Sequence, residues 1–427
     1  MPRLHHLLLP ALALLFLVIY DVCLADLYVY EGMVGINLDI DFWIIFAVTM
    51  FIILLVFPSR IERPSDMFLF FYLLISVLWG TVFWGGTGLI DAGEQPLFFA
   101  VTIMPVFFVL GVRALLARHV NGLIVPVVLA SSAWLPYVLA FLLIISGLAA
   151  AGTIGGGSFD WQEMYVRRLA SRGAYDGHML AGYATNMGTN GILPILGFVA
   201  GYRRSPLLLG MAAIFVMMMF FLLGLKSPAI NFVALAGLGF CFRYPGLRRN
   251  LVPITLATIL VVYAGALLAF LRSGDTFLAD YLVRRISMVQ PQVQSYYFDY
   301  WMNRDSAAAL IAAANQSFSD TTFEIGYLYL HNPLTNANTN GFIYALARGG
   351  FASYVISMLG VALILAAIDA LAEKTRGFEL FAVAALFSIL VSEQAWTTVL
   401  MTSGIALCLA LVMLFSYPSG TRAATSS

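Results

Sequence analysis

Apolar runs long enough to cross a bilayer recur along this chain from end to end, and that repetition limits the fold more than any motif does. The twelve runs occupy residues 7–22, 41–57, 67–86, 96–112, 123–150, 182–202, 205–223, 228–242, 251–271, 350–370, 378–395 and 399–416. A helix of about 20 residues spans the ~30 Å hydrocarbon core. Backbone in lipid must satisfy its own hydrogen bonds, which leaves helices or closed barrels. These runs are continuously apolar and do not alternate, so they predict helices. Of the 427 residues, 61% are hydrophobic and 10% charged, where soluble domains carry roughly 25% charged residues. The expectation is one integral membrane domain over 1–427: an all-α, polytopic transmembrane bundle of about twelve helices. The first run follows Arg3 and precedes the weak cleavage candidate Cys23-Leu24-Ala25; it reads as an uncleaved helix rather than a signal peptide.

The gaps between runs set the orientation. Arg60 and Arg63, Arg113 and Arg118, Arg203 and Arg204, Arg243, Arg248 and Arg249, and Lys374 and Arg376 fall on one side, together with Arg3 and Arg422. The alternate gaps 23–40, 87–95 and 396–398 hold no Lys or Arg. The positive-inside rule assigns the basic side, and with it both termini, to the cytoplasm. Two long outer (periplasmic) loops remain, 151–181 and 272–349. Net charge is zero and no basic block suggests nucleic acid. Cys23, Cys241 and Cys408 are far apart, and the five histidines lack metal-ligand spacing, so no metal site and no cofactor is expected. There is no P-loop and no GxGxxG.

Nine basic residues fall on the outer side: Arg167, Arg168, Arg172, Lys226, Arg272, Arg284, Arg285, Arg304 and Arg348. A solvated loop face is the plain reading. Their confinement to two loops and one tight turn also fits a polyanionic ligand. Arg168 and Arg172 are four apart and share a helix face, where two guanidiniums repel unless an anion lies between them. Lys226 lies in Gly224-Leu225-Lys226-Ser227-Pro228 between two apolar runs. A charge so close to hydrocarbon either snorkels or serves a function. The second loop carries an aromatic stretch, Tyr296-Tyr297-Phe298-Asp299-Tyr300-Trp301, suited to stacking on sugars or to an interfacial belt. It ends in Asn336-Ala337-Asn338-Thr339-Asn340-Gly341, which lines a wet cavity or caps the next helix.

On three local features the chain resembles the Wzy-type O-antigen and exopolysaccharide repeat-unit polymerases of the O-antigen ligase/polymerase superfamily. These are Leu223-Gly224-Leu225-Lys226-Ser227-Pro228-Ala229 opening a helix, the pair Arg284-Arg285 entering the large loop, and Thr339-Asn340 followed by Gly350-Phe351. Thr339 stands where the superfamily often has His; His331 lies eight residues earlier. The resemblance implies a GT-C-like membrane glycosyltransferase of the bacterial inner membrane, inverting and independent of metal. Its substrates would be polyprenyl-diphosphate-linked oligosaccharides, and its partners a flippase and a chain-length regulator. Departure of a diphosphate develops negative charge that fixed cations stabilise. Arg284 and Arg285 are the candidates for that role, with Glu324 and then His331, Asp320 or His178 to orient or deprotonate the acceptor hydroxyl. Arg167, Arg168, Arg172, Lys226, Asn340 and Arg348 are the candidate substrate-binding residues. A ligase that moves a finished glycan, and a non-enzymatic transporter or flippase, are the alternatives. The polar content gathers in two outer loops rather than at mid-helix positions in two repeated halves, which speaks against the transporter.

Overall fold

The structure is a computed structural model describing residues 4–31, 33, 35–91, 93–116, 132–160, 162–175, 177–333, 335–375 and 377–415. Every regular element among these residues is helical. Among the described residues, seven helices are long and apolar enough to cross a membrane: His6–Leu24, Pro64–Phe83, Gln95–Leu116, Leu135–Thr153, Pro206–Leu223, Leu251–Ser273 and Gly341–Lys374. Four shorter apolar helices accompany them, Ile40–Val56, Ser227–Arg243, Glu379–Val391 and Ile405–Leu414. The chain is a helical membrane protein.

Side chains at the helix starts explain where the helices begin. Asp39 accepts from the Phe42 amide at 2.8 Å, and Asn340 from the Phe342 amide at 2.9 Å. Each satisfies a donor that the first turn leaves orphaned. Proline occupies the first turn of the helices at Pro64, Pro206 and Pro228, where its missing N–H costs nothing. Gly224 and Gly404 take left-handed φ of 65° and 79°, a conformation open to glycine, and each marks a break between helices.

Three expected boundaries shift. The run at 350–370 is part of a helix from Gly341 to Lys374, broken only where Gly350 adopts φ 66°, ψ −165°. The run at 399–416 is split into Trp396–Met401 and Ile405–Leu414 at Gly404. The run at 378–395 stops being helical at Val391. The first part of the run at 123–150, and Arg3, Arg118, Arg376 and Arg422, lie outside the described residues.

Packing follows small residues and aromatic faces. Leu193–Arg203 and Ser227–Arg243 run side by side in close contact. A Cβ on Gly201 would stand 2.1 Å from the Ala236 carbonyl, and one on Gly239 2.1 Å from the Phe198 carbonyl, so only glycine permits this approach. Gln95–Leu116 packs along Gly341–Lys374, where the Tyr354 hydroxyl donates to the Val101 carbonyl. Glu379–Val391, buried along nearly its whole length, packs on Pro64–Tyr72 at the centre of the bundle.

One end of the bundle is closed by paired charges. Arg113 Nη1 donates to Asp66 Oδ1 at 2.6 Å and to Ser65 Oγ at 3.3 Å. Asp66 also accepts from the amides of Glu62 and Arg63. Asp369 accepts from Ser65 N at 2.8 Å and Ser65 Oγ at 2.6 Å. Arg63 reaches Glu373, and Arg203 donates to the Ser132 carbonyl. Arg248 and Arg243 lie over the rings of Phe378 and Tyr202. The basic gaps of the sequence that fall on described residues therefore gather at one end.

Candidate functional site

Away from the paired end, the structure links cations from three separate stretches of chain. Arg167 is on the amphipathic helix Met164–Ala174, which packs against the last turn of Pro206–Leu223. Its guanidinium lies 5.7 Å from the Phe220 ring centroid, and its Nη2 donates to the Asp160 carbonyl at 2.9 Å. Only 11% of the side chain is exposed, and Glu163 is 3.8 Å from Nη1. Nε and Nη1 are buried without a hydrogen-bond partner. Buried donors are nearly always paired; here the Glu163 carboxylate stands 3.8 Å from Nη1, beyond hydrogen-bond reach.

The next cation follows from the same contact. Gly224 turns the chain with left-handed φ, and a Cβ there would stand 2.5 Å from the Met164 carbonyl. The close approach seats the start of the Arg167 helix on the turn that carries Lys226. Lys226 Nζ in turn lies 5.6 Å from the Tyr281 ring centroid. Tyr281 belongs to the π-helical stretch Ala279–Arg284, which also holds Asp280 and Arg284. Arg284 stacks 3.9 Å over Tyr28, and its Nη1 is 3.8 Å from Asp280, which accepts from the Tyr28 hydroxyl. A wider helical turn shifts the register of side chains and often occurs where function needs it.

Neighbours in sequence diverge here. The Arg284 side chain is 13% exposed, whereas Arg285 is exposed. Arg168 is exposed too, with its carbonyl accepting from Ser171 Oγ. Arg172 lies on the same helix, four residues on.

The other expected residues form a second group. Glu324 Oε2 accepts from the Tyr300 hydroxyl at 2.7 Å. Asp320 Oδ2 accepts from the Tyr344 hydroxyl at 2.8 Å and lies 3.5 Å from Arg348 Nη1, which donates to Tyr344 at 2.7 Å. Arg304 Nη2 donates to the Arg348 carbonyl. Tyr329 stacks on Tyr296 with centroids 5.1 Å apart and donates to Asp299 Oδ2 at 2.6 Å. Burial, then the bond to the Glu324 carboxylate, pushes the Tyr300 hydroxyl up to about 12. Burial and Asp299 likewise raise Tyr329. Tyr300 follows Arg284 by sixteen residues along an almost continuous helical stretch, so Glu324 and Arg284 sit on the order of 20 Å apart along that axis.

Two further residues expected at the site lie at helix ends. Asn340 is fully buried; its Oδ1 caps the helix, and its Nδ2 donates to the Tyr72 hydroxyl at 2.9 Å. Both polar atoms are engaged, so its place is that of a cap and not of a sugar ligand. His331 ends the helix Thr321–Leu330 in left-handed conformation, φ 51°, and is exposed.

A further polar level lies deeper. Glu379–Val391 has 13 residues, about 20 Å of helix, and stops short of a ~30 Å core. Ser392, Glu393 and Gln394 follow. Gln394 Oε1 accepts from Ser403 Oγ at 3.3 Å, and a Cβ on Gly341 would stand 2.3 Å from the Gln394 carbonyl. The Ser403 carbonyl in turn lies against Gly191, in the π-helical turn Gly188–Ile192. Gly197 faces Phe232 and Gly201 faces Ala236, so the two helices run in the same direction in constant register. Continued upward, that register sets Gly191 level with Lys226. Glu393 is exposed. On the other flank of Asn340, Gln294 and Thr339 are buried with side-chain polar atoms lacking partners.

Glu393 does not stand out in the sequence because it falls inside the apolar run 378–395. The available signal is the polar triplet Ser392-Glu393-Gln394 at the end of that run. A crevice of about 10 Å³ among Ile45, Thr49, Thr81, Gln95 and Phe98 is too small and apolar to concern this chemistry. Among the described residues, no His, Cys, Asp and Glu group is placed to hold a metal ion. No known protein family, curated protein or solved structure matches the chain.

Proposed function

We propose that the chain polymerises polyprenyl-diphosphate-linked oligosaccharide repeat units into a surface polysaccharide at the outer face of the bacterial inner membrane. The observation that carries this reading is the set Arg167, Lys226 and Arg284, from three distant stretches, each seated over an aromatic ring and linked through the Met164–Gly224 and Lys226–Tyr281 contacts. A metal-independent transferase that expels a diphosphate needs such fixed positive charge where the leaving group's charge develops. Arginine grips phosphate oxygens in a bidentate way, and lysine adds a point charge. The aromatic faces around Tyr296 and Tyr329 suit sugar rings. The reading includes twelve membrane crossings with both termini cytoplasmic, a GT-C-like arrangement, and the cationic set at the outer surface. It works beside a flippase and a chain-length regulator.

The reading is tested in a strain lacking this chain that still assembles and flips lipid-linked repeat units. The expected result is single units at the outer surface, and a polymer ladder when the chain is restored. Loss of outward-facing units in that strain would make the chain a transporter. Retained polymer, with a block only in its attachment to a final acceptor, would make it a ligase.

A further inference from the structure

The gap at 23–40 holds no Lys or Arg, yet it supplies the seat of Arg284. The N-terminal helix His5–Ile19 packs along Leu251–Ser273, and the π-helical turn after it, Tyr20–Leu24, packs on the π-helical turn Ala279–Arg284. The short stretch Asp26–Glu31 then kinks at Tyr28, φ −119°, ψ 22°, where the side chain is buried. Three contacts define the junction. The Arg284 guanidinium lies 3.9 Å from the Tyr28 ring centroid. The Tyr28 hydroxyl donates to Asp280 Oδ1. That same oxygen faces Arg284 Nη1 at 3.8 Å. Oppositely charged residues four apart on a helix ordinarily pair, and a closed arginine–carboxylate contact is about 2.8 Å long. Here one tyrosine seats the cation on its face and ties the carboxylate at its edge. The two charged side chains are only 13% and 30% exposed, so solvent screens them weakly.

We propose that Tyr28 is a positioning residue of the transfer: its ring seats the Arg284 guanidinium, and its hydroxyl keeps the Asp280 carboxylate from closing on it. This deepens the polymerase reading and rests on it. Arg284 is the group that meets the departing diphosphate, and Tyr28 acts through it. A cation joined directly to a carboxylate stabilises a second anion less than one held against a ring, because the ring attracts without carrying a net charge. Loss of the hydroxyl then does harm through Asp280, which is released to close on Arg284. Removing the carboxylate as well undoes that harm. A hydroxyl that only supports the fold gives no such recovery of turnover per folded molecule.

The experiment uses purified full-length protein with a polyprenyl-diphosphate oligosaccharide. It compares wild type, Tyr28→Phe and the double variant Tyr28→Phe/Asp280→Asn, each as monodisperse protein. Tyr28→Phe keeps the ring and is expected to lose about tenfold in kcat, with KM changed less than about twofold. The double variant is expected to regain at least about fivefold of that loss. Should Tyr28→Phe not accumulate, Asp280→Glu decides the matter: its longer side chain can reach the guanidinium with Tyr28 in place, and a loss of about tenfold in kcat is expected. A kcat within about threefold of wild type in the deciding single variant overturns the role of Tyr28 and leaves the polymerase reading standing, and so does a double variant as slow as Tyr28→Phe or slower. No polymer from the wild type under these conditions overturns the reading itself, and the role of Tyr28 with it.

Discussion

The two ends of this bundle treat the same residue types in opposite ways. At one end Arg113 meets Asp66 at 2.6 Å, and Asp369 is satisfied by Ser65 through two hydrogen bonds. Each buried carboxylate there has polar partners, and the contacts tie together helices that start and finish at that level. Toward the other end Arg167, Lys226 and Arg284 lie over Phe220, Tyr281 and Tyr28. Arg167 retains buried donors without acceptors. An aromatic face holds a cation in place with less neutralisation than a carboxylate gives. The first arrangement ties helices together through short carboxylate contacts, whereas in the second the carboxylates stand off at 3.8 Å, Glu163 from Arg167 and Asp280 from Arg284, and aromatic rings seat the cations.

The comparison predicts different failures at the two ends. Asp66→Ala strands the Arg113 guanidinium and removes the acceptor for two backbone amides. A destabilisation of about 4 kcal/mol is expected from the broken pair and the lost cap together. Thermal unfolding in detergent should show a large drop in midpoint, with the residual folded protein still active. A variant that stays fully stable but makes no polymer would assign the paired end a functional role and dissolve the contrast.

At the cationic end the effect should fall on rate. Arg284→Ala is expected to lower polymer synthesis about a hundredfold, equivalent to about 2.7 kcal/mol of transition-state stabilisation. Arg284→Lys keeps the charge without the planar fork and should recover part of the activity. Arg285→Ala, at an exposed position, should stay within about threefold, as surface changes usually do. Ladder assays on the three variants, at matched expression, check this order. Equal losses at Arg284 and Arg285 would mean that charge density, and not the Tyr28-stacked geometry, is what counts.

A smaller effect separates the second group of polar residues from both ends. The Tyr300 hydroxyl titrates at about 12 in the folded protein, above the tyrosine reference near 10. A raised folded value favours the protonated form, so this contribution is complete below about pH 10 and is lost as pH rises toward about 12. Wild type should therefore lose stability more steeply than Tyr300→Phe across that alkaline window, and the two should run parallel below it. Identical slopes throughout would show that burial and the Glu324 carboxylate do not raise Tyr300 in the folded protein.

Much of the helical layout was legible because a membrane helix announces itself by length and continuous apolarity. Where glycine intervenes, that signal fails. Gly350 and Gly404 sit inside runs that read as unbroken, and a left-handed turn leaves hydropathy unchanged. Lys226, Arg284 and Arg167 were visible as cations out of place, but their aromatic seats on Tyr281, Tyr28 and Phe220 come from remote segments that no local pattern connects. Asn340 read as both a cap and a ligand, and burial decides for the cap. Glu393 was hidden for a physical reason: two carboxylates in eighteen residues, Glu379 and Glu393 near the two ends, hardly lower the hydropathy of the run at 378–395.

The central claim is that the cations away from the paired end handle a diphosphate leaving group in glycan polymerisation. It is tested most directly by incubating the purified wild-type chain with a polyprenyl-diphosphate oligosaccharide in EDTA. The account predicts a ladder of lipid-linked polymer with release of free polyprenyl diphosphate in equal amount to the bonds formed, and its loss in Arg284→Ala. Activity abolished by EDTA and restored by magnesium, or a full ladder from Arg284→Ala, would contradict it.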